Sequence, residues 1–264
     1  LPWKTGVLLV TAYGRTHIPP GRLAALLRVS KSAAGRIIDH IAPLLALKQR
    51  RRFRKDTVLI VDGTPVPTRD HGIAEQSKNC RYFTTHQVVI DAEARLIVAI
   101  GRPVPWNRHD SKAWEESGAK AAVGTTTTIA DAGCLGTGLV IPHRHPPGGE
   151  LPEGKREHNR SHKQIRARVK HAFARMKTWK ILRDCPLKGD SVDHAVFGIA
   201  RLHHLLQAGQ PSEQHRDAPH PQLDVHLRTT LSVESTIARA HQHAAEARIG
   251  RLPDIRGLQA TART

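Results

Sequence analysis

Two aspartates stand where a chain can act on a phosphodiester. Asp62 follows the apolar run Thr57-Val-Leu-Ile-Val61, and Asp131 follows Thr125-Thr-Thr-Thr-Ile-Ala130, 69 residues later. Both runs have the length and β-branched content of buried strands. Carboxylates at the ends of neighbouring strands converge, and a hard cation such as Mg²⁺ takes one or two of them while keeping its waters. A pair of such ions clamps the attacking and leaving oxygens of a phosphate. On these residues alone, Asp62-Gly63 and Asp131-Ala-Gly133 read better as turns that end strands.

The patterning around them predicts a mixed sheet with flanking helices, an α/β architecture. Gln87–Asp91 and Arg95–Ile100 are expected as an antiparallel hairpin turning at Ala92-Glu-Ala94, and Leu139–Ile141 as a fifth strand. A helix is expected around Ser111–Lys120, with Asp110 as its cap. The strongest helix covers Asn159–Lys180, where Ile165, Val169, Ala172, Phe173 and Met176 recur at helical spacing. Another amphipathic helix covers about Val192–Gln207. Beyond it the hydrophobic pattern dissolves, with one helix expected near 232–247.

A small all-α module precedes the sheet. Gly21–Val29 and Ala33–His40 are short helices across a tight turn, with Ser30 as N-cap, the shape of a helix-turn-helix. Lys31, Ser32 and Arg36 would face the groove of double-stranded DNA. Arg28 departs from the pattern, standing where such turns usually carry Gly. The basic stretch Lys48–Lys55, with Arg52 and Arg54, would touch phosphates. An ordinary helical hairpin and a solvated loop are the alternatives.

Charge agrees with a polyanionic partner. The 264 residues carry 41 Lys+Arg against 23 Asp+Glu, a net of +18, and Pro211–Thr264 contributes only +1 of it. Arg-heavy composition from a GC-rich coding sequence is the competing explanation. No apolar run approaches a membrane span of ~18 residues, and Gly6–Val10 is too short for a signal peptide. Cys80, Cys134 and Cys185 have no C-x-x-C spacing, so they are expected as small hydrophobes in a reducing compartment. His158 and His162, like His143/His145, His203/His204 and His241/His243, are expected at the surface. Gly133–Gly138 lacks a phosphate-loop spacing.

Residues 20–207 carry a series of blocks in order: VLIVDGTPVPT (58–68), HQVVIDAEARLIVAIGRP (86–103), NRHD (107–110), IADAGCLGTGLVIP (129–142) and HNRSHKQIRARVKHAFARMKTWKILRDC (158–185). The chain thereby resembles the DDE transposases of bacterial insertion sequences, in the branch with an N-terminal helix-turn-helix and an RNase H-like endonuclease domain. The resemblance implies three units: 1–50, a DNA-binding helix-turn-helix module; 51–207, the RNase H-like transposase domain; 208–264, a poorly ordered tail. It implies Mg²⁺ (or Mn²⁺) held by Asp62 and Asp131, cleavage at the element's terminal repeats, and attack of the freed 3′-OH on target DNA. It also implies a homo-oligomer, since two ends are synapsed, and a place at the bacterial nucleoid in the cytoplasm. Arg166 and Lys177 would contact phosphate.

The family's third carboxylate is a Glu on the late helix, in Arg-x-x-x-Glu-x-x-x-x-x-x-Lys. Arg166 and Lys177 keep that frame, but Lys170 occupies the Glu position. Arg166, Lys170, Phe173 and Lys177 share a face within roughly 60°. An ammonium at position 170 is therefore expected to pair with the two aspartates and weaken catalytic metal binding. Glu150, Glu153 and Glu157 precede the helix out of register. Cys134 in place of Tyr, a start at Leu1 and the unpatterned tail read as a truncated or decaying copy. A non-catalytic DNA-binding remnant, repressing transposition, is the alternative favoured by Lys170. An RNase H-like nuclease acting on RNA or branched DNA fits the aspartates but not the helix-turn-helix.

Overall fold

Runs rich in Val, Ile and Thr form the strands, and amphipathic segments cover both faces of the sheet they make. The computed structural model describes residues 3–50, 52–78, 81–185 and 187–208. Cys80, residues 209–264 of the expected tail, its helix near 232–247 and the His241/His243 pair lie outside the described residues. The strands are β1 (Leu59–Pro67), β2 (Glu75–Gln76), β3 (Tyr82–Asp91), β4 (Ile97–Ile100), β5 (Val104–Pro105) and β6 (Thr128–Ile129). They form one sheet in the order β2-β3-β1-β6, with β4 and β5 also paired to β3. β1 runs antiparallel to β3 and parallel to β6, so the sheet is mixed, as expected for an RNase H-like α/β fold.

The helices are α1 (Trp3–Thr16), α2 (Pro20–Leu26), α3 (Lys31–Ile41), α4 (Asp110–Glu116), α5 (Ala119–Val123), α6 (Glu153–Met176), α7 (Lys180–Arg183) and α8 (Asp190–Ala208). Alternation along β1 and β3 divides the core. Ile60, Val66, Val88 and Ile90 pack against Val169, Ala172 and Met176 of α6 and Val192, Val196 and Ile199 of α8. Leu59, Val61 and Val89 pack the other way, against Trp114, Ala119, Val123 and Cys134. Val7, Ile41 and Leu45 belong to the first cluster, so the N-terminal helices and the sheet share one continuous core.

Several elements differ from expectation. β1 does not stop at Asp62: it pairs with β3 through Pro67. β6 meets β1 only at Leu59 and Ile60, so one edge of β1 is open beyond Ile60, and an open edge tolerates prolines such as Pro65 and Pro67. The single helix expected over Ser111–Lys120 is two, broken at Gly118, whose φ of 78° lies in the left-handed region. Leu139–Ile141 supplies only an isolated parallel bridge, Val140 with Ile129. α6 starts six residues before Asn159, after Pro152, because Glu153 suits a first helical turn, and it ends at Met176 with Lys177 as its C-cap. α1 carried no expectation from the sequence beyond being too short for a leader.

α2 and α3 form the expected pair, and Ser30 Oγ accepts a hydrogen bond from the Ala33 N–H at 3.1 Å. Arg28 holds the turn between them at φ 54°, the conformation Gly adopts freely. A side chain there costs about 1 kcal/mol. Arg28→Gly is expected to stabilise the protein by about 0.5–1 kcal/mol after the extra entropy of the unfolded chain is subtracted. Urea denaturation of the two proteins measures it; a destabilised variant would show that the Arg28 side chain makes a compensating contact. Among the described residues no helix is long and apolar enough to cross a membrane.

Candidate active site

Asp62 lies in mid-β1 on the face that meets α6, and Asp131 follows β6 directly. The buried stripe of α6 (Val169, Ala172, Met176) fixes that helix against β1 and sets Arg166, one turn earlier, above the strand. Arg166 joins the two aspartates. Its Nη2 is 3.3 Å from Asp62 Oδ2, and its Nη1 donates to Asp131 Oδ1 at 2.9 Å. The Arg166 side chain is 13% exposed, Asp62 21% and Asp131 51%, so the cluster is dry on the β1 side and wet on the other. Asp62 Oδ1 accepts from the Gly63 N–H at 3.1 Å, and Asp131 Oδ1 also accepts from the Ala132 N–H at 2.8 Å. Burial pushes the Asp62 carboxyl above the usual carboxylate range; Arg166 pulls it down, and the Asp131 and Asp110 charges push it up.

The expected pairing of Lys170 with the aspartates is not what the fold makes. Lys170 is exposed and forms no ion pair among the described residues; the cation between the carboxylates is Arg166. One helical step past buried Val169 turns position 170 outward. Glu150 and Glu153 pair with Arg156, and Glu157 is exposed, so none reaches the aspartates.

Asp110 does not cap its helix from outside. His109 is the N-cap, with its Nδ1 accepting from the Ser111 N–H, and Asp110 is the first helical residue. Its carboxylate turns toward the aspartate cluster, close enough for its charge to act on both Asp62 and Cys134. Sequence reasoning missed this. The available signal was a pair of glycines, Gly63 and Gly133, set beside Asp62 and Asp131.

The remaining candidates fall in three places. Lys31, Ser32 and Arg36 are exposed along α3, and the Ser30 and Ser32 hydroxyls lie 3.1 Å apart. Arg52 and Arg54 are exposed, the latter paired with Asp56 at 3.1 Å. Lys177 is half-buried at the end of α6, and burial pulls its ammonium below the usual range. Cys134 and Cys185 are buried, with thiols pushed up to about 12 and about 11, inert as expected.

Two histidines expected at the surface are buried. His162 lies under α6 with its Nε2 at 3.3 Å from the Val140 carbonyl, and His203 sits in the core beneath α8, its pKa lowered by burial to about 4. α6 spans more of the molecule than the sequence pattern suggested, which brings its first half over the 139–143 segment. Asn159 clamps that segment, donating to the His143 carbonyl at 2.9 Å and accepting from its N–H at 2.8 Å.

A second buried group shares the α6/α8 face of the sheet. Thr64 and His86 are cross-strand partners, and Thr64 Oγ1, both His86 ring nitrogens and Asp193 Oδ1 have no hydrogen-bond partner. His86 Nδ1 is 3.9 Å from Asp193 Oδ1. Burial lowers His86 to about 4 and, with Asp190, raises Asp193 to about 6. A carboxyl whose pKa rises on folding binds protons in the folded state, so its ionisation costs stability. That cost is absent below the unfolded value near 3.8 and complete above about 6. Asp193→Asn is expected to be more stable than the unaltered protein by about 2 kcal/mol at pH 7.5, with the gain vanishing toward pH 4. Urea unfolding across that range checks it, and a gain independent of pH would assign the effect to packing.

The aspartates supply the hard oxygen donors that Mg²⁺ and Mn²⁺ take, and two carboxylates suffice for an ion that retains its waters. The donor set therefore fits such an ion in kind. Among the described residues no three His, Cys, Asp or Glu side chains are drawn together to grip one, because the Arg166 guanidinium joins Asp62 to Asp131. An ion entering there has to displace it.

Residues 61–204 match the family described as DDE superfamily endonuclease. The chain is 68% identical over 210 residues to a curated protein of Streptomyces albus G designated a transposase for insertion sequence element IS112, covering 79% of this chain and 82% of that relative.

Proposed function

Because the chain belongs to the DDE superfamily endonucleases, we propose that it recognises the terminal repeats of its insertion sequence, cleaves them in a Mg²⁺- or Mn²⁺-dependent reaction and joins them to target DNA, with Lys170 slowing the chemical step. The observation that carries this reading is the meeting of Asp62 and Asp131, 69 residues apart, on one cation. In this reading residues 1–50 form the DNA-reading module. Lys31, Ser32 and Arg36 on α3 face the groove, and Arg52 and Arg54 neutralise phosphates without reading sequence. A divalent ion, when bound, supplies Lewis-acid stabilisation of the charge that develops on the phosphate. Asp62 and Asp131 hold it. Arg166, released from them, is placed to pair with a phosphate oxygen. Two element ends require at least two copies of the chain, and a cytoplasmic, nucleoid-bound location follows from the substrate.

The exposed Lys170 and the neutralised aspartates also favour a second reading, a DNA-binding protein that occupies element ends without cutting them. The test is Mn²⁺-dependent cleavage of double-stranded DNA carrying the element's ends, by the unaltered protein and by Lys170→Glu. Cleavage by the variant is the expected result. Specific binding with no cleavage by either protein establishes the second reading, and no preference for the ends by either overturns both.

A further inference from the structure

Asp62 and Asp131 are joined by Arg166, but a third carboxylate beside them is unpaired. Asp110 makes no ion pair or hydrogen bond among the described residues. Its position is fixed by two glycines. A Cβ at Gly133, two residues after Asp131, would lie 2.6 Å from Asp110 Oδ2 and 3.4 Å from its Cγ. A Cβ at Gly63, the residue after Asp62, would lie 3.9 Å from Asp110 Oδ1. The two oxygens of Asp110 thus reach from the segment carrying Asp131 to the segment carrying Asp62, through space that exists only because Gly133 has no side chain. Gln87 is buried, its Nε2 has no hydrogen-bond partner, and that nitrogen comes within 3.3 Å of the same Gly63 position. An unpaired amide donor therefore stands next to the unpaired carboxylate.

Three like charges held this close are costly unless a cation compensates them. Arg166 compensates two of the three. Its helix approaches from the Asp62 face of β1, whereas Asp110 approaches on the Gly63 face, over the edge that β6 leaves open beyond Ile60. We infer that Asp110 is a third carboxylate ligand for the divalent ion, giving this chain a metal site that does not depend on position 170. The inference rests on the reading of Asp62 and Asp131 as metal ligands. It separates binding from turnover: the chain keeps an ion through three aspartates, while Lys170 impairs the cleavage that the ion supports. Gln87 Nε2 is left to donate to a water of hydration or a phosphate oxygen at that ion.

The experiment is Mn²⁺ binding to the full chain, read from the free-ion electron paramagnetic resonance signal during titration, with circular dichroism to confirm folding. Asp110→Asn is expected to weaken Mn²⁺ binding about tenfold or more, as Asp62→Asn and Asp131→Asn do. Gly133→Ala leaves every carboxylate in place but pushes Asp110 aside, and the same loss is expected from it. If Asp110→Asn does not fold, Gly133→Ala decides. Unchanged affinity in the folded Asp110 and Gly133 variants, with losses confined to Asp62→Asn and Asp131→Asn, overturns the inference and leaves the two-aspartate reading standing. Affinity unchanged in all four variants overturns the metal assignment on which the inference rests.

Discussion

Lys170→Glu is expected to raise metal-dependent cleavage of element-end DNA on the order of 100-fold over the unaltered protein. The argument runs through Arg166. Residues four apart on a helix are neighbours, and like charges there repel. With Lys170 one turn beyond it, Arg166 is driven toward the aspartates, where it is found at 3.3 Å from Asp62 and 2.9 Å from Asp131. A Glu at position 170 reverses that bias. It offers the guanidinium a competing partner on its own helix, frees Asp62 and Asp131 for an ion, and adds an oxygen donor on the α6 side. A single-turnover cleavage assay in Mn²⁺ measures the gain. Equal rates for the two proteins would mean that position 170 has no part in the reaction.

Arg166→Met should lose about 2–3 kcal/mol of stability at neutral pH. Breaking a buried ion pair from one side typically costs about 3–5 kcal/mol, and the half-exposed Asp131 softens that figure. Without the guanidinium, Asp62 loses the one group that lowers its pKa, and the Asp110 and Asp131 charges that raise it act alone. Because the folded-state pKa is raised above the unfolded one, the penalty is greatest where all three are ionised. It shrinks as pH falls through the raised Asp62 value. Mn²⁺ at about 100 times its Kd should return about 2.7 kcal/mol, since it occupies the place of the lost cation and binds only the folded chain. Thermal melts with and without Mn²⁺ test both halves. A variant that is destabilised but indifferent to Mn²⁺ would show that the guanidinium does not stand where an ion belongs.

The two aspartates were legible because each follows an apolar run long enough to be a strand, and a strand order that puts their runs side by side brings them together. The role of Arg166 was not. Spacing along α6 shows which of its residues share a face, but not which strand that face meets, so Arg166 read as a phosphate contact and Lys170 as the cation at the aspartates. The buried stripe of Val169, Ala172 and Met176 decides the matter by rolling position 170 outward. Asp110 was illegible for another reason. Its orientation depends on the missing Cβ of Gly133, a relation across 23 residues with no local period. The length of β1 was hidden by Pro65 and Pro67, which argue against a central strand until the truncation of β6 is known. The α2–α3 turn was read correctly despite Arg28, since the Ser30 cap and the apolar spacing outweigh one unfavourable φ.

The core that runs unbroken from Val7, Ile41 and Leu45 into the sheet makes the N-terminal helices a fixed limb of the molecule. A recognition unit on a slack tether would let the cutting centre wander over many phosphates around the sequence it had found. Here the offset between bases read by α3 and the bond presented to Asp62 is cast into the packing, so the protein works as a caliper: where it grips dictates where it can cut.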